Sequence, residues 1–254
     1  MLCYFFSAIF ISNSFKIIQL YARRIFQMAL SALGHGYRNA HVWSRRLSCH
    51  YFPSTMGRYY ESKDFKLIES VRWYIEQGLV RIYAPDSVDR HSWYNRDIHP
   101  ADKVRNHECY DKMVRWEIVE TIRQRTGSPR VAVSGASFGG FHAANFAFRH
   151  PDVVSHLFSM SGAFDIKSFM NGYFDDSVYF NNPVDYLQGL NHPDLWQMKI
   201  ILGTSEWDIC RPSNEQLSAI LASKGVAHWL DMRGWVSHDW ALWRDMFPHY
   251  LSMI

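Results

Sequence analysis

The stretch from Arg130 to Gly140 constrains this chain most. A short apolar run, 131–134, meets a G-x-S-x-G turn (Gly135, Ser137, Gly139), and a helical pattern from Phe141 to Arg149 follows at once. A sharp strand-to-helix turn of this kind pushes a serine hydroxyl out at the end of a sheet. Glycines leave room where backbone and helix pass closely. The helix N-terminus brings free N–H groups and a positive dipole end to the oxygen where charge develops. Ser137 is therefore a candidate nucleophile. The competing reading, a glycine turn that cradles phosphate, finds no G-x-x-x-x-G-K-[ST] or G-x-G-x-x-G in the chain.

The pattern around this turn alternates. Strands are expected near 48–53, 79–84, 130–134, 154–160, 198–203 and 227–232. Helices are expected near 63–77, 101–126, 213–224 and 239–252, besides the helix after Ser137. Such alternation predicts an α/β fold, a mostly parallel central sheet with helices on both faces in a three-layer sandwich. The stretch from Asp165 to Pro193 is the longest irregular region; it carries Tyr173, Phe174, Tyr179 and Phe180 and reads as a cap or pocket wall.

A nucleophilic serine needs a base, and the base an orienting acid, in the chain order Ser, Asp or Glu, His for a serine on such a turn. Asp208 falls on the exit loop 205–208 of the strand at 198–203. His238 falls on the exit loop 234–240 of the next strand. Parallel strands bring both loops to the edge that carries Ser137. Glu206 and Asp165 are rival acids, and Asp208 could instead cap the helix beginning near Pro212. His142 reads as packed, and His228 and His249 are poorly placed. An oxyanion hole needs the N–H of Phe138 and a second from the small-residue loop 53–57 after the first strand. Thr55 is the expected donor, with Ser54 and Met56 as neighbours able to serve.

With these residues in place, the chain resembles an esterase family of α/β-hydrolases. That family includes esterase D (S-formylglutathione hydrolase), the feruloyl and enterochelin esterases and the antigen 85 mycolyltransferases. The resemblance runs from about residue 50 to 252. It is carried by Phe52 to Tyr60, Asp86 to Asp89, Ser92 to Asn95, Gly135 to Gly140, Ser161 to Asp165, Tyr179 to Pro183, Gly203 to Asp208 and Ser237 to Trp240. It is nearest the compact, lidless bacterial branch. The resemblance implies Ser137 as nucleophile, Asp208 as acid and His238 as base, with ester or thioester hydrolysis that uses no cofactor. Separately, the histidines show no H-E-x-x-H or Cys/His zinc spacing, so no metal is expected. The family opens with an antiparallel strand pair, whereas Ile17 to Leu33 reads as helical and Arg38 to Arg46 as basic and irregular. Residues 1–47 are accordingly set apart from a catalytic domain over 48–254.

A chain of 254 residues, 48% hydrophobic and 20% charged, fits one soluble α/β domain. A net charge of +3 without a basic stripe argues against nucleic acid. The four cysteines, Cys3, Cys49, Cys109 and Cys210, show no C-x-x-C and read as reduced thiols of a cytoplasmic protein. Leu2 to Ile11 has the length of a signal-peptide core but lacks the charged flank and a clear cleavage site, and Ile17 to Leu30, with Lys16, Arg23 and Arg24, reads as an amphipathic helix; secretion or membrane attachment is the alternative to a cytoplasmic location. The expected partner is a small-molecule ester, with no membrane; self-association into a homo-oligomer is allowed. Aromatic content is high, at 16%. Trp93, Tyr94, Trp207 and Trp240 flank the expected site edge and are candidates for an acyl or aryl pocket. An acyltransferase on the same triad, or a silent hydrolase fold used as a binding module, are the alternative functions.

Overall fold

The computed structural model describes residues 47–254, so the readings for the earlier segment lie outside the described residues. In chain order the elements are β1 (Leu47–Phe52), α1 (Glu61–Asp64), α2 (Leu67–Ser70), α3 (Arg72–Glu76), β2 (Val80–Tyr83) and α4 (Pro100–Met113). A π-helical stretch (Val114–Val119) then leads into α5 (Glu120–Thr126). Next come β3 (Val131–Ala136), α6 (Phe138–Arg149), β4 (Val154–Met160), α7 (Asp176–Tyr179), α8 (Pro183–Tyr186), β5 (Lys199–Trp207), α9 (Arg211–Ser223), β6 (Trp229–Ser237) and α10 (Trp240–Leu251).

The six strands form one sheet in the order β2-β1-β3-β4-β5-β6, and every neighbouring pair is parallel. Side chains alternate between its faces, as the pleat requires. Val131, Val133, Leu157, Ile200 and Leu202 pack under α4, α6 and α9. Ala132, Phe158, Met160 and Ile201 pack under α2 and α10, against Leu67, Leu242, Met246 and Phe247. This is the expected three-layer α/β sandwich. The chain crosses to one side after β1 and to the other after β3, so the carboxyl ends of these adjacent strands form a switch point, where such sheets bind ligands.

Two expectations are corrected. The helix expected over 63–77 is three short turns, broken where Lys66 takes a left-handed φ of 63°. The segments 205–207 and 234–237, expected to be loops, extend β5 and β6. These two strands stay paired as far as Trp207 opposite Ser237, past the end of the four-strand body, with the Trp207 and Trp235 rings in edge contact at 5.3 Å. The irregular stretch 165–193 contains several single turns of helix, and Phe169 within it packs on Phe138 and Tyr94 as a wall of the switch-point crevice. Among the described residues no helix is long and apolar enough to cross a membrane.

Candidate active site

Ser137 stands between β3 and α6 at φ 56°, ψ −123°, a conformation that costs a non-glycine residue on the order of 1–3 kcal/mol. The flanking glycines make the turn sterically feasible. A Cβ on Gly135 would lie 2.2 Å from the Gly139 carbonyl oxygen. A Cβ on Gly139 would lie 2.4 Å from the carbonyl oxygens of both Phe52 and Pro53. The second contact ties the first turn of α6 directly to the loop that leaves β1.

His238, just past β6, places Nε2 2.9 Å from the Ser137 hydroxyl, and its Nδ1 lies 2.7 Å from Asp208 Oδ1. A carboxylate only accepts, so Nδ1–H donates to Asp208; in the neutral ring Nε2 is then the acceptor for the Ser137 hydroxyl. Asp208 is wholly buried at its side chain and is held from several directions. Its Oδ2 accepts from the Thr204 hydroxyl at 3.1 Å, its Oδ1 from the Cys210 N–H at 2.8 Å, and the Ser161 hydroxyl donates as well. Ser161 in turn accepts from the Trp243 indole N–H at 2.9 Å, and the Trp243 ring meets His238 edge-on. Burial works against the Asp208 carboxylate, but the hydrogen bonds from His238, Ser161 and Cys210 outweigh it and hold the pKa below the usual range. Burial likewise opposes a charged His238, yet the Asp208 hydrogen bond and the adjacent Cys210 thiol raise its pKa to about 9.

The loop at 53–57 is pinned at nearly every N–H. Ser54 N–H donates to Glu61 Oε2 at 3.1 Å, and its hydroxyl to Glu61 Oε1 at 2.8 Å. Met56 N–H donates to Asp89 Oδ2 at 2.8 Å, and Gly57 N–H to the Ser54 carbonyl at 2.8 Å. Among the described residues the Thr55 N–H has no such partner, so of the three candidates it alone is free to donate to a substrate. The Phe138 N–H is in the first turn of α6, where no intrahelical acceptor reaches it.

The rival acids fall away from His238: Asp165 engages Lys167 and Asn182, and Glu206 lies on the exposed end of β5. His142 is buried, with Nε2 2.7 Å from Asp89 Oδ1; His228 bonds the Ser218 hydroxyl, and His249 packs on Trp229. Of the aromatic candidates, Trp93 is corrected to the core, 1% exposed among His107, Phe141 and Phe169, because its ring lies beneath the crevice rather than at its mouth. Tyr94 stays at the site, its hydroxyl 3.5 Å from the Thr55 hydroxyl and its ring edge-on to Phe138. Trp207 is exposed beside Trp235, and Trp240 stacks on Phe65 one ring away from Trp243. Asp89 and Cys210 are additions that the sequence reading missed. The one signal for Asp89 was an acid closing the Asp86–Asp89 motif; nothing in the spacing pointed to Cys210.

A strand-turn-helix serine, a histidine and a carboxylate gather at the switch point of a parallel sheet, the architecture of the α/β-hydrolase fold. The model of the alpha/beta hydrolase fold family matches residues 91–219, half of the chain, and the chain belongs to that family. Among solved structures it is similar to a ferulic acid esterase, at 16% identity and a TM-score of 0.63 over 82% of this chain and 84% of the other. It is also similar to the fluorophosphonate-binding serine hydrolase F of Staphylococcus aureus, at 17% identity and a TM-score of 0.65 over 87% and 88%. A third is an S-formylglutathione hydrolase from Agrobacterium tumefaciens, at 13% identity and a TM-score of 0.64 over 83% and 84%. No curated protein matched the chain.

Proposed function

We propose that this protein is a serine esterase that cleaves carboxylic or thio esters of small acyl or aryl groups. The observation that carries the reading is the unbroken chain Ser137–His238–Asp208, at 2.9 and 2.7 Å, beneath two N–H groups free to meet an oxyanion. The hydrolases and esterases among its structural relatives lend support at the level of the fold.

In this reading His238 Nε2 takes the Ser137 proton as the hydroxyl oxygen attacks the ester carbonyl. Asp208 fixes the ring with Nδ1–H turned away from Ser137 and stabilises the imidazolium that forms. The Phe138 and Thr55 N–H groups hold the tetrahedral oxyanion, each worth about 3 kcal/mol in the transition state. The alcohol or thiol leaves with the proton from His238. Water then attacks the acyl-serine by the same steps in reverse, and no cofactor enters. Tyr94 and Phe169, packed on Phe138 beside Ser137, give an aromatic wall suited to a short acyl chain or an aryl ring.

The test is hydrolysis of p-nitrophenyl acetate and butyrate beside Ser137→Ala. Activity should fall in the variant by a factor on the order of 10⁵. Equal rates in both proteins would overturn the assignment of Ser137. Faster turnover of a long-chain triglyceride than of butyrate would overturn the small-ester reading.

A further inference from the structure

We propose that Asp208, Cys210 and His238 form a binding site for zinc, and that its occupancy switches the hydrolase off. Among the described residues this is the one group whose His, Cys and carboxylate donors converge: one ligand atom from each lies within 4.8 Å of the other two. An imidazole nitrogen, a carboxylate oxygen and a thiolate are all zinc donors, with bonds of about 2.0–2.3 Å. Around a tetrahedral ion such bonds put neighbouring donors about 3.3–3.8 Å apart. The widest pair must therefore close by at most about 1 Å, and the Asp208–His238 pair must open by about 0.6 Å from its hydrogen-bond distance. Three protein ligands leave the fourth position to water.

The backbone already presents these groups. Cys210 follows Asp208 by two residues on the loop between β5 and α9. Its N–H is fixed on Asp208 Oδ1 and its carbonyl accepts from the Asn214 side chain at 2.8 Å. The Cys210 residue is partly exposed, so an ion has a path to the thiol.

The consequence for catalysis rests on reading His238 as the base; the metal site itself does not. Zinc takes the Nδ1 lone pair, which in the working tautomer carries the proton given to Asp208. The neutral ring must then hold its proton on Nε2, where it donates toward Ser137 instead of accepting from it. The Cys210 thiol loses its proton to solvent as the Zn–S bond forms, and the charges of thiolate, carboxylate and ion cancel. Ser137 is left with no base.

Cobalt(II) serves as the probe of the site and zinc as the inhibitor. One equivalent of cobalt should give the full protein a thiolate-to-metal charge-transfer band in the near ultraviolet. The band should be absent in Cys210→Ser and kept in Cys109→Ser, whose exposed thiol lies on α4. Zinc should inhibit p-nitrophenyl butyrate hydrolysis reversibly, with activity restored by EDTA. The half-inhibiting concentration should rise more than about 10-fold in Cys210→Ser, each protein being scaled to its own zinc-free rate. No band in the wild-type protein, or a band retained in Cys210→Ser, overturns the site. A band with unchanged activity in zinc, or equal inhibition of both proteins, overturns the switch. If the protein hydrolyses no ester at all, the esterase reading fails, while the cobalt band still decides the site.

Discussion

Asp89 and His142 meet in the core at 2.7 Å, and the other Asp89 oxygen holds the Met56 N–H. The carboxyl group, wholly buried, thus links the helix that starts at Ser137 to the loop that presents Thr55. In the proposed reaction Asp89 touches no reacting atom and acts as a positioning residue. Asp89→Ala should lower kcat by about 10- to 100-fold with little change in KM, a part of the ~3 kcal/mol an oxyanion donor supplies. It should also cost stability of about 1–3 kcal/mol for the polar groups left unpaired. Asp89→Asn keeps one acceptor for Met56 and should recover much of kcat. Steady-state kinetics of the two variants, beside urea melts, check this; a KM effect with unchanged kcat would sink it.

Gly139 separates the Ser137 turn from the 53–57 loop by the width of a missing methyl group. Gly139→Ala drives a Cβ to 2.4 Å from two carbonyl oxygens, so the helix or the loop must move. Overpacking of this kind costs about 1–3 kcal/mol. The same displacement separates the Phe138 and Thr55 N–H groups. Activity of the folded variant, measured well below its melting temperature, should fall more than the stability loss alone explains. A variant that is destabilised but fully active would contradict this account.

Ser137 itself carries strain. At its φ of 56° glycine is at ease and alanine is not. Ser137→Gly and Ser137→Ala both remove the hydroxyl, so comparing them isolates the backbone. The glycine variant should be the more stable by about 1 kcal/mol, after allowing for its larger entropy loss on folding. Both should be inactive. Denaturant midpoints of the pair decide it, and equal midpoints would mean that the turn is not strained.

How far the sequence leads can be judged from these same residues. Gly135, Ser137 and Gly139 were legible because a turn this tight admits few side chains, and the alternating apolar runs put Asp208 and His238 on neighbouring strand ends. The extension of β5 and β6 was hidden. Glu206, Trp207, Trp235 and Val236 are exposed there, so the apolar alternation that marks a half-buried strand is missing. Lys66 broke a helix that periodicity alone joined. The roles of Asp89 and Cys210 depend on contacts across 33 residues to Met56 and 28 residues to His238, and no local pattern encodes those. Trp93 was a candidate, with Tyr94, because both flank the expected sheet edge; in the fold Trp93 is buried while Tyr94 packs on Phe138 beside Ser137.

Three histidines outside the site should make the fold sensitive to acid. Burial lowers the pKa of His50 to about 3; neither of its ring nitrogens has a polar partner among the described residues. Burial, with the Lys199 charge, lowers His156 to about 4, and burial with the charges of His142 and Arg149 lowers His107 well below 6.5. These groups are neutral in the fold, whereas in the unfolded chain they take up protons near pH 6.5. Their contribution to stability is therefore complete above about pH 6.5 and is lost as the pH falls from there toward the folded values. Each should cost roughly 1 kcal/mol per pH unit once the unfolded form is protonated. Urea midpoints taken at about pH 7 and about pH 5 should differ in favour of the higher pH. His156→Gln should shallow the slope by about one proton, because its amide does not titrate. Midpoints that stay level over this range would show that the three rings do not titrate as buried neutral groups.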